Sequence, residues 1–158
     1  MPTSRRLTLI IATLVLVDQL TKSWVVAALS DGHVVPIIGS LRFSLGYNSG
    51  IAFSRAQGKG VLVAIVALVA VVLIVRAMLR ARSAWSAHGL ALIASGALGN
   101  LADRVFRGDG FLDGHVVDFI DLQWFPSFNI ADSAITVGAV LLIVSMVLES
   151  RSTEDAGA

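Results

Sequence analysis

The chain contains no cysteine. That absence removes disulfide frameworks, thiolate zinc sites, iron–sulfur clusters and thiol nucleophiles, and it leaves the redox compartment open. Charge is scarce as well: Asp, Glu, Lys and Arg make up 15% of the 158 residues, against about a quarter in a soluble domain. With 12 basic and 11 acidic side chains the net charge is +1, so no basic patch of the kind nucleic acid needs is expected. What fills the chain instead is apolar: 56% of it is hydrophobic. A chain of this length has too small an interior to hide so many apolar side chains. It reads as a membrane protein.

Four apolar segments carry that composition, at about 7–29, 60–79, 85–104 and 130–148. A hydrocarbon core of about 30 Å needs roughly 20 helical residues, which each segment meets within a few. The expected fold is an all-α polytopic membrane protein, one integral domain over residues 1–158 with four transmembrane helices. Arg5 and Arg6 ahead of Leu7–Val17 also resemble the start of a cleaved signal peptide. Asp18 and Lys22, however, fall where a small-residue cleavage site belongs, so the segment is expected to remain as helix one.

Arginine placement sets the expected orientation. Arg5 and Arg6 precede helix one, and Arg76, Arg80 and Arg82 crowd the short turn between helices two and three. Both termini and that turn are expected in the cytoplasm. Five basic residues (Arg42, Arg55, Lys59, Arg104 and Arg107) lie on the other side, so density in the short inner turn decides the reading. The two outer segments, about 30–60 and 105–128, are longer. Leu41, Phe43, Leu45 and Tyr47 alternate with Arg42, Ser44 and Gly46, and the turn dipeptides Asp109-Gly110 and Asp113-Gly114 precede Val116-Val117. A small β element in the outer loops is expected, and these loops are expected to close over a substrate and limit water, a role that shortening Ser40–Tyr47 would test.

The scarce polar residues converge on one depth. With about 1.5 Å of rise per residue, Lys22 lies in the outer third of helix one and Asp18 one turn deeper. Asn100, Asp103 and Arg104 end helix three, Asn129 and Asp132 start helix four, and Asp118 stands in the connecting loop. The inner half offers no comparable cluster. Most of these residues also have an ordinary reading, whereas Asp118 is harder to dismiss because its own stretch offers no obvious cation. Asp18 and Lys22 are an i,i+4 pair, Asp103 and Arg104 an interfacial pair, Asn129 and Asp132 a helix cap, and Gly96 and Gly99 helix-packing positions.

With no thiol, no G-x-S-x-G motif, and His33 and His115 outside the cluster, the available chemistry is that of carboxylates. Two neighbouring aspartates share one proton because like charges resist joint ionisation. One acts on a water while the other polarises a carbonyl. Aspartic peptide hydrolysis fits. A Mg-dependent lipid-headgroup transferase and a small cation transporter or channel are the alternatives.

Five blocks in order resemble the lipoprotein signal peptidase (signal peptidase II) family of bacterial membrane aspartic peptidases. They are Asp18-Gln19-Leu20-Thr21-Lys22, Asn48-Ser49-Gly50-Ile51-Ala52-Phe53-Ser54, Gly96–Arg104, Val116-Val117-Asp118-Phe119 and Phe128–Ile135. The departures are Ile51, where a small residue is usual, and Ser95, where a second glycine is common. The resemblance implies that Asp118 and Asp132 are the catalytic dyad, and it selects Asp118 over Asp121, which a strand would point to the opposite face. It implies substrate-positioning or scaffold roles for Asn48, Gly50, Asn100, Arg104 and Asn129, with Arg104 meeting a lipid phosphate or a peptide carbonyl. Asp18, Lys22 and Asp103 become supporting residues. Neither a cofactor nor a metal is implied. The implied partners are membrane lipid and a prolipoprotein whose lipobox cysteine bears diacylglycerol, cleaved just before that cysteine. The implied location is the bacterial inner membrane, with the site at its outer face.

Overall fold

The apolar runs become helices, and the helices outlast the runs. The computed structural model describes residues 2–49, 59–108, 112 and 114–155. Within them α1 spans Pro2–Leu29, α2 Lys59–Arg80, α3 Ala84–Phe106 and α4 Ile130–Asp155. Gly50, the Ile51–Ser54 half of the second block, Arg55, Asp109-Gly110 and Asp113 lie outside the described residues. α1 begins before Leu7 and α4 continues to Asp155. A polar end needs no hydrocarbon around it, while its backbone amides are still best satisfied inside the helix.

By length and composition, Ser4–Leu29, Val61–Arg80 and Ile130–Ser150 are apolar enough to cross a membrane. α3 is long enough as well, but its sequence is diluted by Asn100, Asp103 and Arg104 and by a face of Gly, Ala and Ser. The reason is its position: α3 packs against α1, α2 and α4, and Ala87, Ala91, Ala94, Ser95, Gly96 and Gly99 are buried along it. Small residues let helix backbones approach closely where no hydrophobic effect drives them together. A Cβ at Gly96 would lie 2.2 Å from the Ala131 carbonyl oxygen, so that glycine seats the first turn of α4. A Cβ at Gly99 would lie 2.7 Å from an Asp18 carboxylate oxygen, so the second glycine makes room for a polar group of α1.

The expected β element is a three-stranded antiparallel sheet in the order β1 (Val35–Ile38), β2 (Leu41–Asn48) and β3 (Val116–Asp121). Ser40–Tyr47 is built into that sheet. All but its first residue belongs to the central strand, bonded on both edges, and its alternation is that of a strand. The β2–β3 register shifts between Phe43 and Gly46, pairing Arg42 with Asp121 on one side and Gly46 with Asp118 on the other. Phe43 and Phe119 stack edge to face with centroids 5.8 Å apart. With Val25 and Leu29 they form the apolar cluster that fixes the sheet to the end of α1.

A carboxylate pair held by amides

The site forms where α1, α3, β3 and the start of α4 meet. α4 opens with a reciprocal cap: Asn129 Oδ1 accepts from the Asp132 backbone N–H at 2.9 Å, and Asp132 Oδ2 accepts from the Asn129 N–H at 3.1 Å. Such a box satisfies two helix-start amides at once. A third is met from another helix, because the Ala131 N–H donates to Asp18 Oδ1 at 2.9 Å. The ordinary capping reading of Asp132 therefore holds, but it leaves Oδ1 of the same carboxylate to other work. That oxygen accepts from Asn100 Nδ2 at 2.8 Å.

Asp118 sits on β3, 5% exposed. Its Oδ2 accepts from Asn48 Nδ2 at 3.0 Å and its Oδ1 from Asn129 Nδ2 at 2.7 Å. Asn129, fully buried, thus touches both aspartates. Burial raises the Asp118 carboxyl above the ordinary carboxylate value and the charge of Asp132 adds to this. The hydrogen bonds from Asn48 and Asn129 and the charge of Lys22 oppose the rise. Asp121 turns elsewhere, accepting from Arg42 Nε at 2.7 Å and from the Gln123 N–H at 2.7 Å. The backbone bond to Gln123 chiefly, and Arg42 after it, hold its carboxyl below the usual range. Asp121 therefore stands apart from the Asn129-bridged pair.

Beneath the pair lies a charged layer with no exposure to speak of. Lys22 Nζ reaches Asp18 Oδ2, Asp103 Oδ2 and Asn100 Oδ1, each at 2.9 Å. A buried ion pair is tolerable only when its remaining hydrogen-bonding capacity is filled. Here, among the described residues, no buried side-chain nitrogen or oxygen lacks a partner. Asp103 also accepts from the Val117 N–H at 3.1 Å, anchoring β3 beside Asp118.

The expected pairing of Asp103 with Arg104 is not what forms. Asp103 binds Lys22 and, at 2.8 Å, Arg107 Nε. Adjacent helical residues diverge, whereas i,i+4 residues share a face. Arg104 points its Nη1 at the Ser49 carbonyl oxygen, 3.4 Å away. Two participants escaped the sequence reading. Gln19 Nε2 donates to Asp18, to the Gly99 carbonyl and to Asp103, and Arg107 ties Asp103 to Ser23. The i,i+4 spacing signalled Arg107. For the amides the signal was composition, since Asn48, Asn100 and Asn129 are all the asparagines the chain has, and all three bond to the pair. Beside Asp132 a cavity of about 620 Å³ opens between Trp124, Phe125 and Phe128 and the Ser133–Val137 face of α4.

The opposite end of the bundle is less bare than expected. Ser83 and Ser86 of the α3 start bond to Ser145 of α4 at 3.1 and 2.9 Å, and Ser145 donates to Glu149 at 2.9 Å.

Apolar helices long enough to cross a membrane, set around a buried carboxylate on β3 and a half-buried one at the start of α4 that share amide partners, define a polytopic membrane protein with a candidate acid–base site. Comparison with known proteins gives the family. A model of signal peptidase (SPase) II matches residues 10–148, and the chain belongs to the signal peptidase II family, a family of peptidases. The chain is 47% identical over 142 residues to a lipoprotein signal peptidase of Rhodococcus jostii, covering 89% of this chain and 72% of that one. It is 45% identical over 144 residues to a lipoprotein signal peptidase of Mycobacterium avium, covering 89% and 79%. Two solved structures of bacterial membrane enzymes superpose with TM-scores of 0.77 and 0.78 at 30% identity, covering 92% and 89% of this chain and 89% and 92% of theirs. Neither the transferase nor the transporter alternative is favoured by these relatives.

Proposed function

We propose that Asp118 and Asp132 are the acid–base pair with which this peptidase removes signal peptides from lipoprotein precursors, cutting just before the cysteine that carries diacylglycerol. The observation that carries this reading is the Asn129 bridge, one buried residue hydrogen-bonded to both carboxylates. Neighbouring carboxylates share one proton, and they titrate as a pair. The ionised member takes a proton from water as the oxygen attacks the scissile carbonyl, and the protonated member donates to the carbonyl oxygen. On collapse of the resulting diol the ionised member takes a hydroxyl proton while the protonated member donates to the departing amine, which restores the starting single-proton pair. Water enters and two peptides leave, with no covalent intermediate.

The raised Asp118 carboxyl suits this chemistry, because the shared proton then persists above the ordinary carboxylate range. Asn48, Asn100 and Asn129 hold the two carboxylates, and Arg104 and Gly50 position the substrate. The cavity beside Asp132 takes apolar substrate next to the scissile bond. Acyl chains and signal helix anchor the precursor in membrane lipid, so binding supplies orientation, which can be worth about 7–11 kcal/mol. The crowded Arg76, Arg80 and Arg82 support a topology with both termini in the cytoplasm and the site at the outer face of the bacterial inner membrane.

The test is Asp118→Asn and Asp132→Asn, each expressed in a cell depleted of the native enzyme. Unprocessed diacylglyceryl precursors accumulate with either variant while membrane insertion persists. Normal processing by either one contradicts the assignment. Loss of activity on chelation would favour the magnesium alternative.

A further inference from the structure

An asparagine side chain can face two ways, and its two ends have opposite hydrogen-bonding sense. In this site the sense is imposed. The Lys22 ammonium, 0% exposed, has three protons and no acceptor, and its partners are Asp18, Asp103 and Asn100 Oδ1, each at 2.9 Å. Only an oxygen satisfies it. Asn100 therefore turns its oxygen to Lys22 and its Nδ2 to Asp132 Oδ1, at 2.8 Å. Asn129 is fixed the same way. The Asp132 backbone N–H donates to Asn129 Oδ1, which turns Asn129 Nδ2 to Asp118 Oδ1 at 2.7 Å.

We propose that Lys22 is a positioning residue for the dyad: through the Asn100 amide it holds Asp132 in one orientation, with Oδ1 kept as an acceptor. This rests on the reading of Asp118 and Asp132 as the reacting pair. The charged groups around the lock are Asp18 on α1, Asp103, Arg104 and Arg107 on α3, and Asp118 on β3. Asp18 strengthens the same grip, because while one oxygen meets Lys22 the other accepts the Ala131 N–H in the turn that carries Asp132. Proton traffic at Asp132 is thereby left to Oδ2, which among the described residues accepts from the Asn129 backbone N–H.

The lock is tested by reversing one end of the amide. Asn100→Asp still offers Lys22 an oxygen but presents an acceptor to Asp132. In purified enzyme acting on a synthetic diacylglyceryl lipopeptide, kcat falls at least 100-fold while KM stays within threefold, and Asn100→Leu loses as much. A merely space-filling Asn100 predicts that the near-isosteric Asp variant keeps kcat within fivefold of the parent, and that result overturns the proposal. Asp132→Asn is assayed beside it. If that variant cleaves normally the dyad reading fails, whereas an inactive Asp132→Asn with an active Asn100→Asp sinks the lock alone. The parent protein gives a second readout that needs no folded variant. Asparagine labelling marks only three side-chain amides, and solid-state NMR in bilayers then measures the dipolar coupling of Asn100 Nδ2. Coupling to Asp132 Cγ is expected; coupling to Lys22 Nζ in its place overturns the proposal.

Discussion

The two ends of the helical bundle both bury polar side chains, but they do so with different rules. At the Arg82 end, Ser83, Ser86 and Ser145 face one another, and in each serine pair either oxygen can be the donor. Such a knot joins α3 to α4 through rotatable hydroxyls, with Glu149 as its fixed acceptor. At the Asp132 end, an ammonium and backbone N–H groups are obligate donors, and they dictate the sense of every amide between them and the carboxylates. Reversible hydrogen bonds hold helices together; imposed ones aim groups at a reaction. The comparison teaches that the number of buried polar atoms does not mark the site, whereas fixed donor–acceptor sense does.

Breaking the imposed network has the largest expected effect. Lys22→Met leaves Asp18 and Asp103 buried without their common cation, a loss of about 3–5 kcal/mol for a buried pair deprived of one partner. Thermal unfolding in detergent should show the variant far below the parent. A midpoint within a few degrees of the parent would mean that the charged layer is not structural.

Glycine substitutions sharpen the contrast next. A Cβ at Gly96 meets the Ala131 carbonyl, and one at Gly138 lies 2.6 Å from the Gly89 carbonyl at the other end. Gly96→Ala and Gly138→Ala should each lose about 1–3 kcal/mol to overpacking. Only Gly96→Ala displaces the turn that carries Asp132, so it alone should lower kcat at a temperature where both are folded. Equal kcat for the two would erase the distinction.

Smaller still is Ser145→Ala, at about 1 kcal/mol for a hydrogen bond whose former partners retain others, with kcat unchanged. The subtlest effect is a pH shift. Asn48 donates to Asp118 and opposes the rise that burial produces. Removing it in Asn48→Ala lets the Asp118 carboxyl rise further, so the protonated form survives to higher pH. The alkaline limb of kcat should move upward, and a downward move would contradict the assigned sense of that bond.

Much of this was legible before any coordinates. The helices followed from apolar length, and the strand over Leu41–Tyr47 followed from alternation. Asp18, Lys22, Asn100, Asp118, Asn129 and Asp132 followed from depth and motif. What stayed hidden depends on direction. Asp103 and Arg104 are neighbours in sequence yet leave the helix on different bearings, so Lys22 and Arg107 take the place assumed for Arg104. Gln19 carries no charge to betray it. Serines are near neutral in hydropathy, so the Ser83–Ser145 knot makes no mark on an apolar profile. That Leu41–Tyr47 lies in the central strand, bonded on both edges, stayed hidden because alternation does not say which edges pair.

The central claim is that Asp118 and Asp132 together perform hydrolysis, and single-turnover cleavage of a purified diacylglyceryl lipopeptide tests it most directly. Asp118→Asn and Asp132→Asn should each bind the lipopeptide with an affinity close to the parent's and show no cleavage in the time the parent needs for complete turnover. Cleavage by either variant at a rate near the parent's would contradict the account.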